Sequence, residues 1–142
     1  MSRVLVIDDQ KDVRAMICMV LRLNRFEAVE ADSARTALKA FAESGFDAAV
    51  VDIFLEDTNG FYLIAAMRER VPDLPVVAVS GMATLYAVAR SSELPNLVCL
   101  QKPFRPVELI RAIETARAAA RMDEVGTNKN APAGPERLIA SG

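Results

Sequence analysis

The stretch VLVIDDQ, residues 4–10, decides how the rest of this sequence is interpreted. Its apolar residues suit a buried β-strand, and the run stops abruptly at two adjacent carboxylates, Asp8 and Asp9. Two like charges at the end of a core strand repel each other and resist removal from water. We therefore expect a compensating group at the same end of this strand.

Further strand-like runs alternate with segments of helical periodicity along the chain. These runs cover residues 26–31, 46–52, 74–80 and 96–102, and the run at 46–52 is, apart from Asp47, apolar on both faces until its last residue. The run at 26–31 contains two glutamates, which favours the edge of a sheet. Five strand–helix units in alternation predict an α/β fold, with a five-stranded parallel sheet covered by helices on both faces.

Local signals mark several of the helices between these strands. Ser33 is placed to cap a helix whose apolar positions are Ala34, Leu38 and Phe41. A weaker helix is expected over residues 83–92, and either Pro103 or Pro106 opens the last helix. The predicted apolar side of that last helix carries Val107, Leu109, Ile110 and Ile113.

Length and composition indicate one ordinary globular domain. The chain has 142 residues, 52% hydrophobic and 25% charged, and its net charge of −2 favours neither nucleic acid nor an acidic membrane surface. The N-terminal apolar run is too short for a signal peptide or a membrane span. Cys18 and Cys99 lie in apolar runs without metal-ligand spacing. This is typical of buried free thiols in a reducing compartment, so we predict a cytoplasmic protein.

The C-terminal segment differs in composition from the rest of the chain. From about Asp123 onward, glycine, proline and polar residues replace the periodic pattern. We therefore assign residues 1–122 to the domain and residues 123–142 to a disordered C-terminal tail. A tail of this length cannot form a DNA-binding or enzymatic output domain, so we expect the chain to act as a single-domain protein.

The sequence contains no histidine. This excludes serine–histidine and cysteine–histidine catalysis, histidine zinc sites and a phosphohistidine carried by this chain itself. The chemistry available to the protein is therefore that of carboxylates, hydroxyls and lysine.

Polar side chains stand where the predicted strands end. Asp8 and Asp9 follow the first strand, Asp52 ends the third, Ser80 ends the fourth and Lys102 ends the fifth. In a doubly wound fold, ligands bind at the carboxyl ends of the strands, near the topological switch point. Three clustered carboxylates need a cation, and hard oxygen ligands of this kind suit Mg²⁺.

Most of these residues have a simpler interpretation when each is taken alone. Asp9 suits the N-cap of the first helix, Ser80 suits a cap or a turn, and Lys102 suits a solvated surface. Asp52 is harder to explain in this way, because a strand buried on both faces seldom ends in a charge without a partner. The functional interpretation depends on the whole constellation.

The chain resembles the receiver domain of two-component response regulators, because it contains four motifs of that family in the family's order. They are VLVIDD at 4–9, VVDIFLEDTNG at 50–60, VVAVSG at 76–81 and QKPF at 101–104. The resemblance covers about residues 2–121. It implies the receiver form of the flavodoxin-like doubly wound fold, with strand order 2-1-3-4-5.

The resemblance implies that Asp52 is a phosphoacceptor. Its carboxylate would attack a phosphohistidine on a sensor histidine kinase or a histidine phosphotransfer protein and become an acyl phosphate. By the same resemblance Asp9, Asp52 and the backbone carbonyl of Phe54 hold Mg²⁺, and Asp8 acts through bound water. The protein would then be a signalling protein rather than an enzyme, limited to self-phosphorylation from a donor and slow self-dephosphorylation.

The resemblance also assigns roles to Lys102 and Ser80. Lys102 would form a salt bridge to Asp52 and then to the phosphoryl oxygens, next to a Lys102–Pro103 bond expected to be cis. The Ser80 hydroxyl would hydrogen-bond the phosphoryl group and pull the following loop with it, which alters the surface around the fifth strand. The signal would pass by docking to a downstream protein target or onward through a phosphorelay.

Several residues depart from the usual family pattern. Glu56 stands where proline is common, and Cys99 stands where the family usually has the aromatic residue that moves inward with the hydroxyl. A thiol cannot act as a large rotating plug, so we expect a weaker or different switch. Phe54 and Met82 occupy positions that flank the phosphoryl group. They either exclude the hydrolytic water, which predicts slow self-dephosphorylation, or simply pack under a loop.

Three other functions compete with this interpretation. One is a degenerate receiver that docks partners without phosphorylation, which the thiol at Cys99 keeps open. Another is a flavin-binding protein, which would need a hydroxyl- and glycine-rich phosphate loop where this chain has DDQKD at 8–12. The last is a Mg²⁺ phosphatase, whose usual motif has a second Asp at the position of Phe54.

Overall fold

The computed structural model describes residues 1–81 and 96–128, with side chains described up to Arg121 within those ranges. The helix predicted over 83–92 and Met82 lie outside the described residues. In chain order the elements are β1 (Arg3–Ile7), α1 (Lys11–Leu23), β2 (Glu27–Ala31), α2 (Ala34–Glu43), β3 (Ala48–Asp52), α3 (Gly60–Arg70), β4 (Val76–Ser80), β5 (Leu97–Gln101) and α4 (Pro106–Asn128).

The strands form one parallel sheet in the order β2-β1-β3-β4-β5. This confirms the predicted fold class and strand order. The strand with two glutamates, β2, lies at an edge, where Glu27 and Glu30 are exposed. In contrast, β3 and β4 are buried along their whole length, as expected of central strands covered on two faces.

Two hydrophobic cores hold the sheet between its helices, because successive residues of a strand point to opposite faces. The core on the side of α2 and α3 includes Leu5, Ile7, Val51, Ile64 and Met67. The core on the side of α1 and α4 includes Val4, Val6, Ile17, Leu21, Leu109 and Ile113. Each fully buried aliphatic side chain stabilises the fold by about 1.5–3 kcal/mol relative to exposure. The strand ends are therefore firmly positioned.

The last helix begins at Pro106, one of its two predicted starts, but it differs from its prediction in two other respects. It continues to Asn128, beyond the predicted start of the tail at Asp123. The prediction that Val107 lies on the apolar side is wrong, since this residue is 52% exposed. Two helical positions, a rotation of about 200°, place it opposite the buried Leu109.

The described ranges, 1–81 and 96–128, contain no helix with the length and apolar character that crossing a membrane requires.

The N-terminus of α2 carries the predicted cap. Ser33 Oγ accepts a hydrogen bond from the Thr36 N–H at 3.2 Å, and Thr36 Oγ1 accepts one from the Ser33 N–H at 3.2 Å. This reciprocal arrangement is a capping box, which satisfies two backbone donors that the helix itself cannot use.

Replacing Ser33 with Ala is expected to lower the free energy of unfolding by about 1 kcal/mol, because the Thr36 N–H loses its acceptor. Urea denaturation followed by circular dichroism measures the change. The control is Ser33→Thr, which keeps a hydroxyl at this position and should retain most of the stability. Equal losses in the two variants would show that the hydroxyl contributes nothing.

Candidate functional site

The parallel sheet brings the predicted site residues to one edge. Asp52 is the last residue of β3, and Ser80 is the last residue of β4. Ser80 pairs with Gln101, the last residue of β5. Asp8 directly follows β1, and Lys102 directly follows β5. All of these strands run in the same direction, so their carboxyl ends converge.

Three carboxylates meet at this edge. Asp8, Asp9 and Asp52 each present an oxygen atom within 4.8 Å of the others. Asp8 and Asp52 are 1% and 6% exposed, and Asp9 is half-buried. The N-cap of α1 is Gln10, so the simpler interpretation of Asp9 as a helix cap is wrong. The three oxygens are close enough together to share one divalent cation.

Lys102 supplies a positive charge to this cluster. Its Nζ lies 3.0 Å from Asp8 Oδ2 and 3.5 Å from Asp52 Oδ2, and it donates a hydrogen bond to Gln10 Oε1 at 3.3 Å. The resemblance implied a salt bridge to Asp52, which is present, but the shorter contact is with Asp8. One ammonium cannot balance three carboxylates, so the cluster retains an excess of negative charge.

One buried oxygen of the cluster lacks a hydrogen bond among the described residues. Asp8 Oδ1 accepts from the Gln10 N–H at 2.8 Å, whereas no described residue donates a well-aligned hydrogen bond to the buried Asp8 Oδ2. The Lys102 ammonium lies 3.0 Å from this oxygen, but the angle is not that of a hydrogen bond. A buried acceptor left in this state is costly. The excess negative charge, and an oxygen whose only described partner is one imperfectly aligned ammonium, both fit a small divalent cation bound beside the carboxylates.

The Asp52 carboxylate is held at both of its oxygens. Oδ1 accepts a hydrogen bond from the Phe54 N–H at 3.0 Å, and Oδ2 faces the Lys102 ammonium. Burial raises the pKa of Asp52; the Phe54 N–H and Lys102 oppose this increase, and the negative charges of Asp8 and Asp9 add to it. A cation close by would favour the ionised carboxylate, which is the form that can act as a nucleophile.

An open cavity of about 380 Å³ adjoins this carboxylate. The residues that line it are Asp9, Gln10, Asp52, Phe54, Glu56, Gly81 and Lys102. The Phe54 side chain is 50% exposed, so it stands at the rim rather than packing under the loop. The cavity lining includes the charged side chains of Asp9, Asp52 and Lys102, and the cavity is large enough to admit a small anionic group together with water.

Ser80 and Lys102 are connected through the backbone. The Lys102 N–H donates a hydrogen bond to the Ser80 carbonyl at 2.8 Å, and the Ser80 residue itself is buried. Gly81, which follows Ser80, lines the cavity. The Lys102–Pro103 peptide bond is cis, as the resemblance implied.

The loop between β3 and α3 folds back on itself beside the cavity. Phe54 and Asn59 form an isolated antiparallel bridge, and the Gly60 N–H donates a hydrogen bond to the Ile53 carbonyl at 2.7 Å. The Asn59 side chain caps α3 by accepting from the Phe61 N–H at 2.8 Å. These contacts, made within a few residues of chain, close the base of the loop beside Asp52.

Gln10 also belongs to the site, although no sequence motif indicated it. This residue lines the cavity, donates its backbone N–H to Asp8 and accepts from the Lys102 ammonium. Only its position after the acidic pair could have indicated a role, because a glutamine at the start of a helix has no distinctive pattern. Its contact with Lys102 joins residues that are 92 positions apart.

Comparison with known proteins connects this geometry to a family. The chain is 28% identical over 115 residues to an NtrX-like response regulator of Rickettsia bellii, covering 80% of this chain and 24% of that protein. It is 30% identical over 114 residues to the phosphate regulon transcriptional regulatory protein PhoB of Escherichia coli, covering 79% of this chain and 50% of that protein. The chain thus spans about a quarter to a half of the length of these relatives.

A solved structure shows the same fold. The chemotaxis protein CheY4 of Vibrio cholerae superimposes with a TM-score of 0.77 at 23% identity, over 82% of this chain and 98% of that one. The sequence profile of the response regulator receiver domain matches residues 4–114, which include Asp8, Asp9, Asp52 and Lys102. The chain therefore belongs to the response regulator receiver domain family.

Proposed function

We propose that this receiver accepts a phosphoryl group on Asp52 in a Mg²⁺-dependent reaction. The donor is a phosphohistidine on a sensor histidine kinase or a histidine phosphotransfer protein. The signal then passes by docking to a downstream protein or by transfer of the phosphoryl group to another protein's histidine. Both routes place the protein in the cytoplasm with its kinase. Reaction with a donor and slow loss of the phosphoryl group are its only chemistry.

The observation that supports this proposal most directly is the convergence of Asp8, Asp9 and Asp52 beside Lys102. Asp9, Asp52 and the carbonyl of Phe54 would hold the cation, and Asp8 would act through a bound water. When bound, Mg²⁺ supplies positive charge to a phosphoryl group in transfer. Catalysis of this reaction consists mainly of positioning and charge neutralisation, which such a cluster can provide.

The chemical step would use Asp52 and Lys102, which line the cavity, together with the buried Ser80 at the end of β4. A carboxylate oxygen of Asp52 attacks phosphorus while the P–N bond of the donor breaks, and the electron pair remains on the imidazole, which takes up a proton. The Lys102 ammonium neutralises charge on the phosphoryl oxygens. The Ser80 hydroxyl then hydrogen-bonds one of those oxygens and draws the following loop toward the site.

Labelling with acetyl phosphate tests the proposal. The wild-type protein should gain one phosphoryl group in the presence of Mg²⁺ and none with a chelator, as measured by intact mass spectrometry. Asp52→Ala removes the nucleophile and should not be labelled. Failure of the wild type to react would favour the degenerate receiver that docks without phosphorylation, an alternative supported by Cys99 in place of the usual aromatic residue.

Phe54→Asn is expected to shorten the lifetime of the acyl phosphate several-fold, because it opens the rim of the cavity to the attacking water. Loss of the phosphoryl group is followed by mass spectrometry after the donor is removed. The control is Tyr62→Asn, which changes an aromatic residue that is 68% exposed on α3. A lifetime unchanged in Phe54→Asn and in Met82→Glu would reject water exclusion by these residues.

A further inference from the structure

The N-terminus of α2 is capped partly by Asp57, a residue from another part of the chain. An α-helix leaves its first four backbone N–H groups without partners inside the helix. The capping box satisfies those of Ser33 and Thr36. The Ala34 and Arg35 N–H groups donate instead to the carboxylate of Asp57, in the loop after β3.

The contact is a carboxylate placed on the positive end of a helix. The Ala34 nitrogen lies 3.2 Å from Asp57 Oδ1 and 3.1 Å from Oδ2, and the Arg35 nitrogen lies 3.3 Å from Oδ2. Partial positive charge at a helix N-terminus favours such an anion. Asp57 is exposed, so water competes with the contact and its contribution to overall stability is small. Its main consequence is that it fixes the position of the loop.

That loop carries a predicted metal ligand. Its base is closed by the bridge between Phe54 and Asn59 and by the hydrogen bond from Gly60 to Ile53, and Asp57 lies at the tip. The Phe54 N–H holds Asp52 Oδ1. The position of the loop tip therefore affects where the Phe54 peptide stands relative to Asp52.

We propose that Asp57 is a positioning residue for the cation site: by attaching the loop to the N-terminus of α2, it holds the Phe54 peptide where its carbonyl can bind Mg²⁺. The inference rests on the proposed function. Linkage makes the effect reciprocal, because a cation bound near Phe54 stabilises the same loop position and thereby the contact with α2. Hydrogen exchange of the Ala34 and Arg35 amides should consequently slow when Mg²⁺ binds.

The test measures Mg²⁺ affinity by isothermal titration calorimetry in the full chain. Asp57→Ala should weaken affinity by up to about ten-fold, the lower end of what residues beyond the direct ligands of a metal contribute. The matched control is Ser33→Ala, which removes the other half of the cap on α2 without touching the loop. It should lower stability but leave Mg²⁺ affinity within about two-fold of wild type. Asp57→Asn keeps one acceptor oxygen and should fall between wild type and Asp57→Ala.

Amide exchange, followed by NMR, gives a second readout that a merely structural cap would not change. In the wild type Mg²⁺ should slow exchange at Ala34 and Arg35, and in Asp57→Ala this dependence should disappear. The inference is overturned if Asp57→Ala binds Mg²⁺ like the wild type, or if it loses no more affinity than Ser33→Ala. Wild-type protein that binds Mg²⁺ no better than Asp52→Asn would overturn the proposed function as well, so the two failures can be told apart.

Discussion

Replacing Lys102 with Met is expected to slow the proposed phosphoryl transfer to Asp52 by on the order of a hundred-fold, because in that proposal the Lys102 ammonium stabilises charge that develops in the transition state. Its Nζ lies 3.5 Å from Asp52 Oδ2 and faces the cavity where the phosphoryl group would enter. The rate is measured with acetyl phosphate at saturating Mg²⁺. Lys39→Met, at an exposed position on α2, is the control and should react at the wild-type rate.

Lys102→Met should also lower the free energy of unfolding when Mg²⁺ is chelated. Without Lys102 the buried Asp8 loses the cation at 3.0 Å, which costs about 3 kcal/mol for an ion pair of this kind. Burial already raises the pKa of Asp52, and Lys102 opposes that increase, so the variant raises it further.

The loss of stability in Lys102→Met should depend on pH because the pKa of Asp52 is raised. A carboxyl with a folded-state pKa above its unfolded value contributes stability at low pH, and this contribution is lost as the pH rises through the folded-state pKa. The deficit of Lys102→Met should therefore be larger at neutral pH than in mildly acidic buffer. Urea denaturation at both pH values measures it. An unchanged phosphorylation rate together with unchanged stability would contradict the role given to Lys102.

Replacing Gly60 with Ala is expected to lower the free energy of unfolding by about 3 kcal/mol, because the added methyl group overlaps backbone atoms that cannot move away cheaply. A Cβ at this position would lie 2.5 Å from the carbonyl oxygen of Asp52 and 2.7 Å from the Cα of Ile53. The start of α3 would be pushed away from Asp52, the proposed phosphoacceptor. We therefore expect phosphoryl transfer to fall together with stability.

Gly45→Ala is the matched control for this substitution. No atom lies within 4 Å of a Cβ built at Gly45. The control should leave phosphorylation unchanged and alter stability by less than about 1 kcal/mol, in the stabilising direction, through the lower entropy of the unfolded chain. Urea denaturation and acetyl phosphate labelling of both variants give the comparison. Equal behaviour of the two would mean that the backbone at Asp52 tolerates displacement.

Much of this fold follows from patterns that repeat within a few residues. The alternation of strand-like and helical segments predicted the parallel sheet, and the two glutamates of β2 placed that strand at the edge, as observed. The same local pattern predicted that Asp52 lies at the end of a strand buried on both faces. Such features depend on local hydrophobic periodicity, which is visible in the sequence.

The details of the site depended on tertiary packing. The local pattern of the sequence predicts that Asp8, Asp9, Asp52 and Lys102 lie at strand ends and therefore at one edge of the sheet. The folded structure is needed to show that Lys102 lies nearer to Asp8 than to Asp52, and that Asp57 accepts hydrogen bonds from the N-terminus of α2. These contacts join segments that are distant in sequence, and their distances are set by how the two cores pack against the sheet. No periodicity within a single segment encodes that packing.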